Sequence, residues 1–156
     1  MADSTRNVSS GQTLTGHIIN TNEVVNVAKG GTVVNTVLDP TNAYNQDDSL
    51  DPAELDVHGS ALNTQMNDGY VEVYNGGVLS GVTAGNNAQL TVDVGGSATN
   101  VQIASAGVVT VGDDQGGTFK NSAYLSAATV SSGGNIFAEA GGIVTSANVL
   151  AGGYIE

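Results

Sequence analysis

Carboxylates are the only plentiful reactive groups in this sequence. Fifteen Asp and Glu stand against three basic residues and two histidines, and there is no cysteine. Three groupings have the residue types for chemistry. Residues 45–56 place oxygen side chains at positions 1, 3, 5 and 7 of a twelve-residue stretch (Asn45, Asp47, Ser49, Asp51), as a calcium loop would. However, Leu50 occupies the sixth position, where that loop needs Gly, and Asp56 replaces the terminal Glu, so the stretch reads as a solvated acidic loop. Asp113-Asp114 is a carboxylate pair of the kind that can serve as acid and base in glycoside hydrolysis. No His or Arg lies near it in the run 111–117, and exposed carboxylates on a turn are the expected reading. His17 and His58 are 41 residues apart, close to two periods of the repeat described below, and could stack on one face as a metal pair; separate surface histidines are expected. Tyr70 and Tyr74 flank Glu72 on one strand face, either for contact with a sugar or a partner rod, or as a packed outer ladder. No catalytic, cofactor-binding or metal-binding residue is assigned, no cofactor is expected, and the chain is not expected to be an enzyme.

Composition excludes several partners. The formal net charge is −12, and Arg6, Lys29 and Lys120 are too few to neutralise a phosphate backbone, so no nucleic acid is expected. The same charge opposes an anionic bilayer surface. No apolar run approaches the roughly 18 residues of a membrane-spanning helix, so no membrane insertion by this segment is expected. Residues 1–7 lack the charged-then-apolar pattern of a signal peptide. Apolar content is 40% but aromatics are only 4%, so Val, Ala, Ile and Leu must supply the core.

The elements that would hold these groups are announced by glycine. Gly-Gly occurs at 30–31, 76–77, 95–96, 116–117, 133–134, 141–142 and 152–153, with 19 residues from Gly76 to Gly95 and again from Gly133 to Gly152. Degenerate turns such as Ser10-Gly11, Asp68-Gly69, Gly85-Asn86 and Ala106-Gly107 fill the gaps, so one period holds a short and a long arm. Between turns, apolar residues alternate with polar ones: Val25 and Val27, Val71 and Val73, Val92 and Val94, Val109 and Val111. This is the two-residue period of strands buried on one face. A sandwich has no reason to repeat one turn chemistry at fixed spacing, whereas a solenoid stacks identical rungs.

The expected fold is therefore all-β, a right-handed parallel β-helix with rungs of about 19 residues, forming a single domain over 1–156. About seven rungs at the inter-strand spacing make a rod on the order of 35 Å long. Two stretches break the period. Residues 39–58 hold both prolines and six carboxylates and read as an acidic loop insertion, with a helical turn over 51–55 beginning near Pro52. A smaller insertion is expected between Gly117 and Gly134.

The runs 8–14, 23–32 and 35–37, together with Val71-Glu-Val-Tyr-Asn-Gly-Gly-Val78 and residues 141–153, resemble the passenger repeats of AIDA-type autotransporter adhesins. The resemblance covers 8–37 and 69–156. It implies display at the surface of a Gram-negative bacterium, or secretion, with adhesion to a host-cell surface or to another copy of itself. It also implies O-linked heptose, added by a glycosyltransferase to Ser or Thr beside the Gly-Gly turns, for which Thr32, Ser80, Ser97 and Thr118 are the candidates. Irregular rungs and the acidic insertion depart from the family pattern and suggest the N-terminal part of a longer passenger. The alternative is a β-helix carbohydrate-active domain working on polysaccharide through acidic residues in a groove.

Overall fold

The computed structural model describes residues 4–39, 52–104, 106–113 and 119–156. Strands and turns account for all of its regular structure. The first rung is β1 (Ser4–Val8), β2 (Thr13–Thr15) and β3 (Ile18–Ile19), and the second is β4 (Glu23–Val27), β5 (Thr32–Val34) and β6 (Val37–Leu38). The third is β7 (Glu54–Val57) and β8 (Ser60–Met66), the fourth β9 (Tyr70–Val73) and β10 (Val78–Ala84), the fifth β11 (Gln89–Val92) and β12 (Ser97–Ile103). The sixth is β13 (Val108–Val111), β14 (Ala123–Ser126) and β15 (Thr129–Val130), and the seventh β16 (Asn135–Ala138), β17 (Gly142–Thr145) and β18 (Asn148–Val149). β19 (Tyr154–Ile155) opens an eighth. Every strand pairs in parallel with its counterparts one rung away, giving an eight-stranded and an eleven-stranded sheet wound around one core. The expected parallel β-solenoid is what forms.

Register explains the period. Ser4 aligns with Glu23, Val78 with Ser97 and Tyr124 with Ile143, each 19 residues on. Identical positions therefore stack into columns. Val27, Val57, Val73, Val92 and Val111 form one fully buried column, and Val25, Leu55, Val71, Leu90 and Val109 the next. From the other sheet, Val33, Ala61, Leu79, Ala98 and Leu125 meet them across the interior. Branched aliphatics suit these positions because a parallel strand accepts a side chain stacked on its own kind.

Each Gly-Gly pair does two jobs. Gly76 has φ 84, which an L-residue reaches only at a cost, and nothing lies within 4 Å of where its Cβ would be. Gly77 is limited by space instead: a Cβ there would run into the carbonyl oxygen of Val57 in the rung below. Its N–H closes the turn on Tyr74 O at 2.8 Å, and the N–H of Gly76 reaches Gly95 O at 2.9 Å, which ties the turn to the rung above.

Three expectations change in the structure. The long arm is divided again by a column of left-handed residues, Gly16, Asn35, Asn63, Gly81, Asn100, Ala127 and Ser146, so each rung has three corners. The insertion expected between 117 and 134 lies earlier, between Gly112 and Ser122. The spacing from β13 to β16 is 27 residues, and the eight additional residues all fall between Val111 and Ala123. Ser122 and Ala123 take the places that Gly95-Gly96 hold one rung below, while Gly116-Gly117 lies within the insertion. Finally, the helical turn expected over 51–55 is not found at its described end, because Glu54 and Leu55 belong to β7. Leu55 and Val57 point into the core while Glu54 and Asp56 alternate outward, so the rung resumes inside the stretch assigned to the acidic loop.

Candidate functional site

The return of the chain into β7 brings carboxylates together. On the eight-stranded sheet Glu54 aligns with Tyr70, Asp56 with Glu72 and Glu72 with Thr91, all on the outward face. One carboxylate oxygen from each of Glu54, Asp56 and Glu72 lies within 4.8 Å of the others, and all three residues are partly buried. Oxygen donors at this spacing match what a hard cation such as Ca²⁺ takes. Asp56 Oδ1 is buried and accepts no hydrogen bond.

Tyrosines line the same face. The Tyr74 hydroxyl donates to Glu72 Oε2 at 2.8 Å, and its ring stacks on His58 with centroids 4.2 Å apart. Tyr70 and Thr91 share a hydroxyl contact of 3.3 Å. Tyr70, Glu72, Thr91, Asp93, Thr110 and Asp113 line a groove of about 400 Å³. Burial, followed by the charge of Glu72, pushes the Asp93 carboxyl up to about 6. Burial, again followed by Glu72, raises Asp56 above the ordinary carboxylate range. Tyr74 is raised as well, by burial first and then by its bond to Glu72.

The residues singled out from sequence fare unequally. Asp113 makes an isolated antiparallel bridge with Ala140 beside the groove, and Asp114 lies outside the described residues. Of the 45–56 stretch only 52–56 is described, and Asp56 is in a strand. His17 and His58 do not share a face. His17 follows the corner at Gly16 and meets Glu23 Oε1 at 2.6 Å, whereas His58 follows β7 of the other sheet. Tyr70 and Tyr74 do point outward on either side of Glu72. Glu54, Asp56 and Asp93 were missed as a group, because only strand register shows that they are neighbours.

Among the acceptor candidates, Thr118 lies outside the described residues. Thr32, Ser80 and Ser97 are partly exposed on the outward face of the eleven-stranded sheet. Thr13, Thr32, Ser60, Val78 and Ser97 form one outward column there, and Thr15, Val34, Leu62, Ser80, Thr99 and Ser126 form the next. Ser126 Oγ donates to Thr99 Oγ1 at 3.2 Å. No helix long and apolar enough to cross a membrane occurs among the described residues.

Stacked parallel rungs with hydroxyl columns on one face and a carboxylate groove on the other define a β-solenoid scaffold. No family model matches the sequence, and no curated protein matches it. Among solved structures, the chain is similar to the "Crystal structure of TibC-catalyzed hyper-glycosylated TibA55-350 fragment", with a TM-score of 0.63 and 23% identity over 97% of this chain. The chain spans 60% of that fragment's length. At this identity the likeness is one of fold.

Proposed function

We propose that this chain is a stalk segment of a surface-displayed adhesive β-helix of the AIDA-type autotransporter kind. It would work by presenting a long, regular, polar outer face for adhesion to a host-cell surface or to another copy, and would have no active site of its own. The observation that carries the reading is the pair of uncharged outward columns through Thr32, Ser97 and Ser80, in which hydroxyls recur along one face of the rod with apolar side chains between them. A repeating face sums weak contacts into strong association. The likeness in fold to a hyper-glycosylated fragment supports Thr32, Ser80, Ser97 and Thr118 as acceptors for a glycosyltransferase. Cells displaying the full protein are expected to aggregate or adhere above empty controls; behaviour equal to the controls removes the reading. Intact mass of protein made in its native host is expected to show heptose-sized increments that fall in number when Thr32 and Ser97 are replaced by Ala.

One observation favours a second reading, a carbohydrate-active domain. Asp93, whose carboxyl is pushed up to about 6, stands beside Glu72 in a groove, an arrangement in which one carboxyl can donate and the other accept a proton. Screening on acidic and neutral polysaccharides, with Asp93→Asn and Asp113→Asn as controls, separates the two readings.

A further inference from the structure

The two sheets differ in charge. Three outward columns, starting at Thr13, Thr15 and Ile18, run up the eleven-stranded sheet, and among the described residues none of their members is charged. Glu54, Asp56, Glu72 and Asp93 lie on or beside the other sheet. Exposed apolar side chains gather on one facet of the neutral face: Val78 is 43% and Tyr124 51% exposed, with Leu62 and Ile143 on the same facet. Val78, Ser97, Tyr124 and Ile143 follow one another in a single column, and Leu62 stands in the next.

We propose that this uncharged face is where a second copy of the unglycosylated chain docks, the two rods lying side by side with like faces in contact; a sugar on Ser97, which stands between Val78 and Tyr124 in the contact column, would exclude the second copy. The inference rests on the self-association reading above and names the surface. Two copies each carry a formal charge of −12. An approach through the eight-stranded sheet brings carboxylates within a Debye length of about 8–10 Å of one another. Contact through the neutral sheet keeps the carboxylates of both copies on the far sides and covers the apolar side chains, with Lys120, which lines a groove with Ser97 and Tyr124, as the charge at its edge. The same patch on both partners makes the contact isologous.

Size sets its strength. Seven strands at about 4.8 Å, each about 23 Å wide, offer at most about 800 Å² per copy. The left-handed column through Asn63, Gly81 and Asn100 creases the sheet, so one facet touches at a time. That halves the area and places the pair among weak, reversible contacts, below about 1,200 Å² in total. Such contacts accumulate along a longer rod.

Sedimentation equilibrium of the purified chain, from micromolar to millimolar concentration at low and high salt, tests this. A dimer is expected whose fraction rises with protein concentration and rises further with salt, because salt screens the net repulsion while the contact itself is uncharged. Val78→Glu combined with Tyr124→Glu is expected to weaken it at least about tenfold, an effect of ~1.4 kcal/mol. Gln89→Glu, exposed on the other sheet, is expected to leave it unchanged. Both variants change exposed side chains, and circular dichroism verifies that they fold. A monomer at every concentration overturns the inference, and so does a dimer that the double variant leaves intact or that Gln89→Glu weakens equally. Failure of the broader reading looks different: cells that do not aggregate, although the purified chain dimerises through this face.

Discussion

Asp56 of β7 and Glu72 of β9 are register partners, one strand apart on the same outward column of the eight-stranded sheet. Parallel stacking puts like side chains next to like, which favours aliphatics in the core and penalises carboxylates outside it. Among the described residues, nothing basic offsets Asp56 except His58, whose charge when protonated acts to lower it. The strand pairing holds these carboxylates together; they do not choose one another.

A pH dependence of stability follows. Asp93 titrates near 6 in the folded chain, against about 3.9 when unfolded, and Asp56 is shifted the same way. The folded state binds more protons between these values, so stability falls as pH rises from about 4 through about 6 and stays reduced above that. The Asp93 shift alone corresponds to ~3 kcal/mol, which solvent screening of a partly exposed group lowers to about 1 kcal/mol. Thermal unfolding at pH 5 and pH 8 is expected to show the higher midpoint at pH 5. Glu72→Gln, which removes the charge facing both Asp56 and Asp93, is expected to raise the pH 8 midpoint by roughly 2–4 °C and narrow the gap. Glu139→Gln, an exposed change away from the cluster, serves as control. An equal narrowing by Glu139→Gln would assign the effect to overall net charge.

Much of this architecture was legible because turn chemistry repeats. Gly76-Gly77 and Gly95-Gly96 mark the same corner in consecutive rungs, and the valines between corners announce which side is buried. The third corner was hidden because a single left-handed residue makes it, such as Asn63, Ala127 or Ser146 with φ near 55, without the Gly-Gly doublet that marks the other corner. The sixth rung was misplaced because Ser122-Ala123 stands where glycines were expected. The carboxylate cluster was hidden for a different reason: Glu54 and Asp56 lie in an acidic stretch that composition alone reads as loop, and only the alternation of Leu55 and Val57 marks a strand.

The division of labour within a Gly-Gly pair makes opposite predictions for its members. At Gly76 the constraint is φ with open space around it, so Gly76→Asn is expected to cost less than about 1 kcal/mol. At Gly77 the obstacle is the Val57 carbonyl, part of the rung-to-rung ladder, which cannot move aside alone. Gly77→Ala is therefore expected to cost about 1–3 kcal/mol, although Ala is the smaller side chain. Urea midpoints of the two variants decide it. A larger loss from Gly76→Asn would mean that backbone conformation, not close approach, limits both positions.

The corner column offers a stabilising change by the same logic. Ala127 has φ 53, in the left-handed region where Asn is tolerated better than Ala, and Asn35, Asn63 and Asn100 occupy the equivalent corner in other rungs. Asn63 also donates its side-chain amide to Asn35 Oδ1 at 3.2 Å, one rung away. Ala127→Asn is expected to add about 0.5–1 kcal/mol to unfolding stability, read as a higher midpoint without a change in denaturant slope.

The core contains two buried hydroxyls without partners, on consecutive rungs. Thr64 is a register partner of Val82, which in turn pairs with Val101, so an inward column that is apolar above carries hydroxyls at Thr64 and, one rung below, Thr36. Thr64 Oγ1 is buried and has no hydrogen-bond partner, and Thr36 Oγ1 is in the same state. An unpaired buried hydroxyl carries its desolvation penalty with nothing to offset it. Thr64→Val keeps the branched shape, suits the strand, and continues the valine column. It is expected to stabilise the chain by about 1 kcal/mol, whereas Leu90→Ala, which empties a fully packed position two rungs on, is expected to cost about 2–5 kcal/mol. Calorimetric unfolding of both variants at one pH checks the pair. A Thr64→Val midpoint below that of the parent chain would show that the hydroxyl is satisfied in solution, by water inside the solenoid, and that the column is wetter there than its valine neighbours imply.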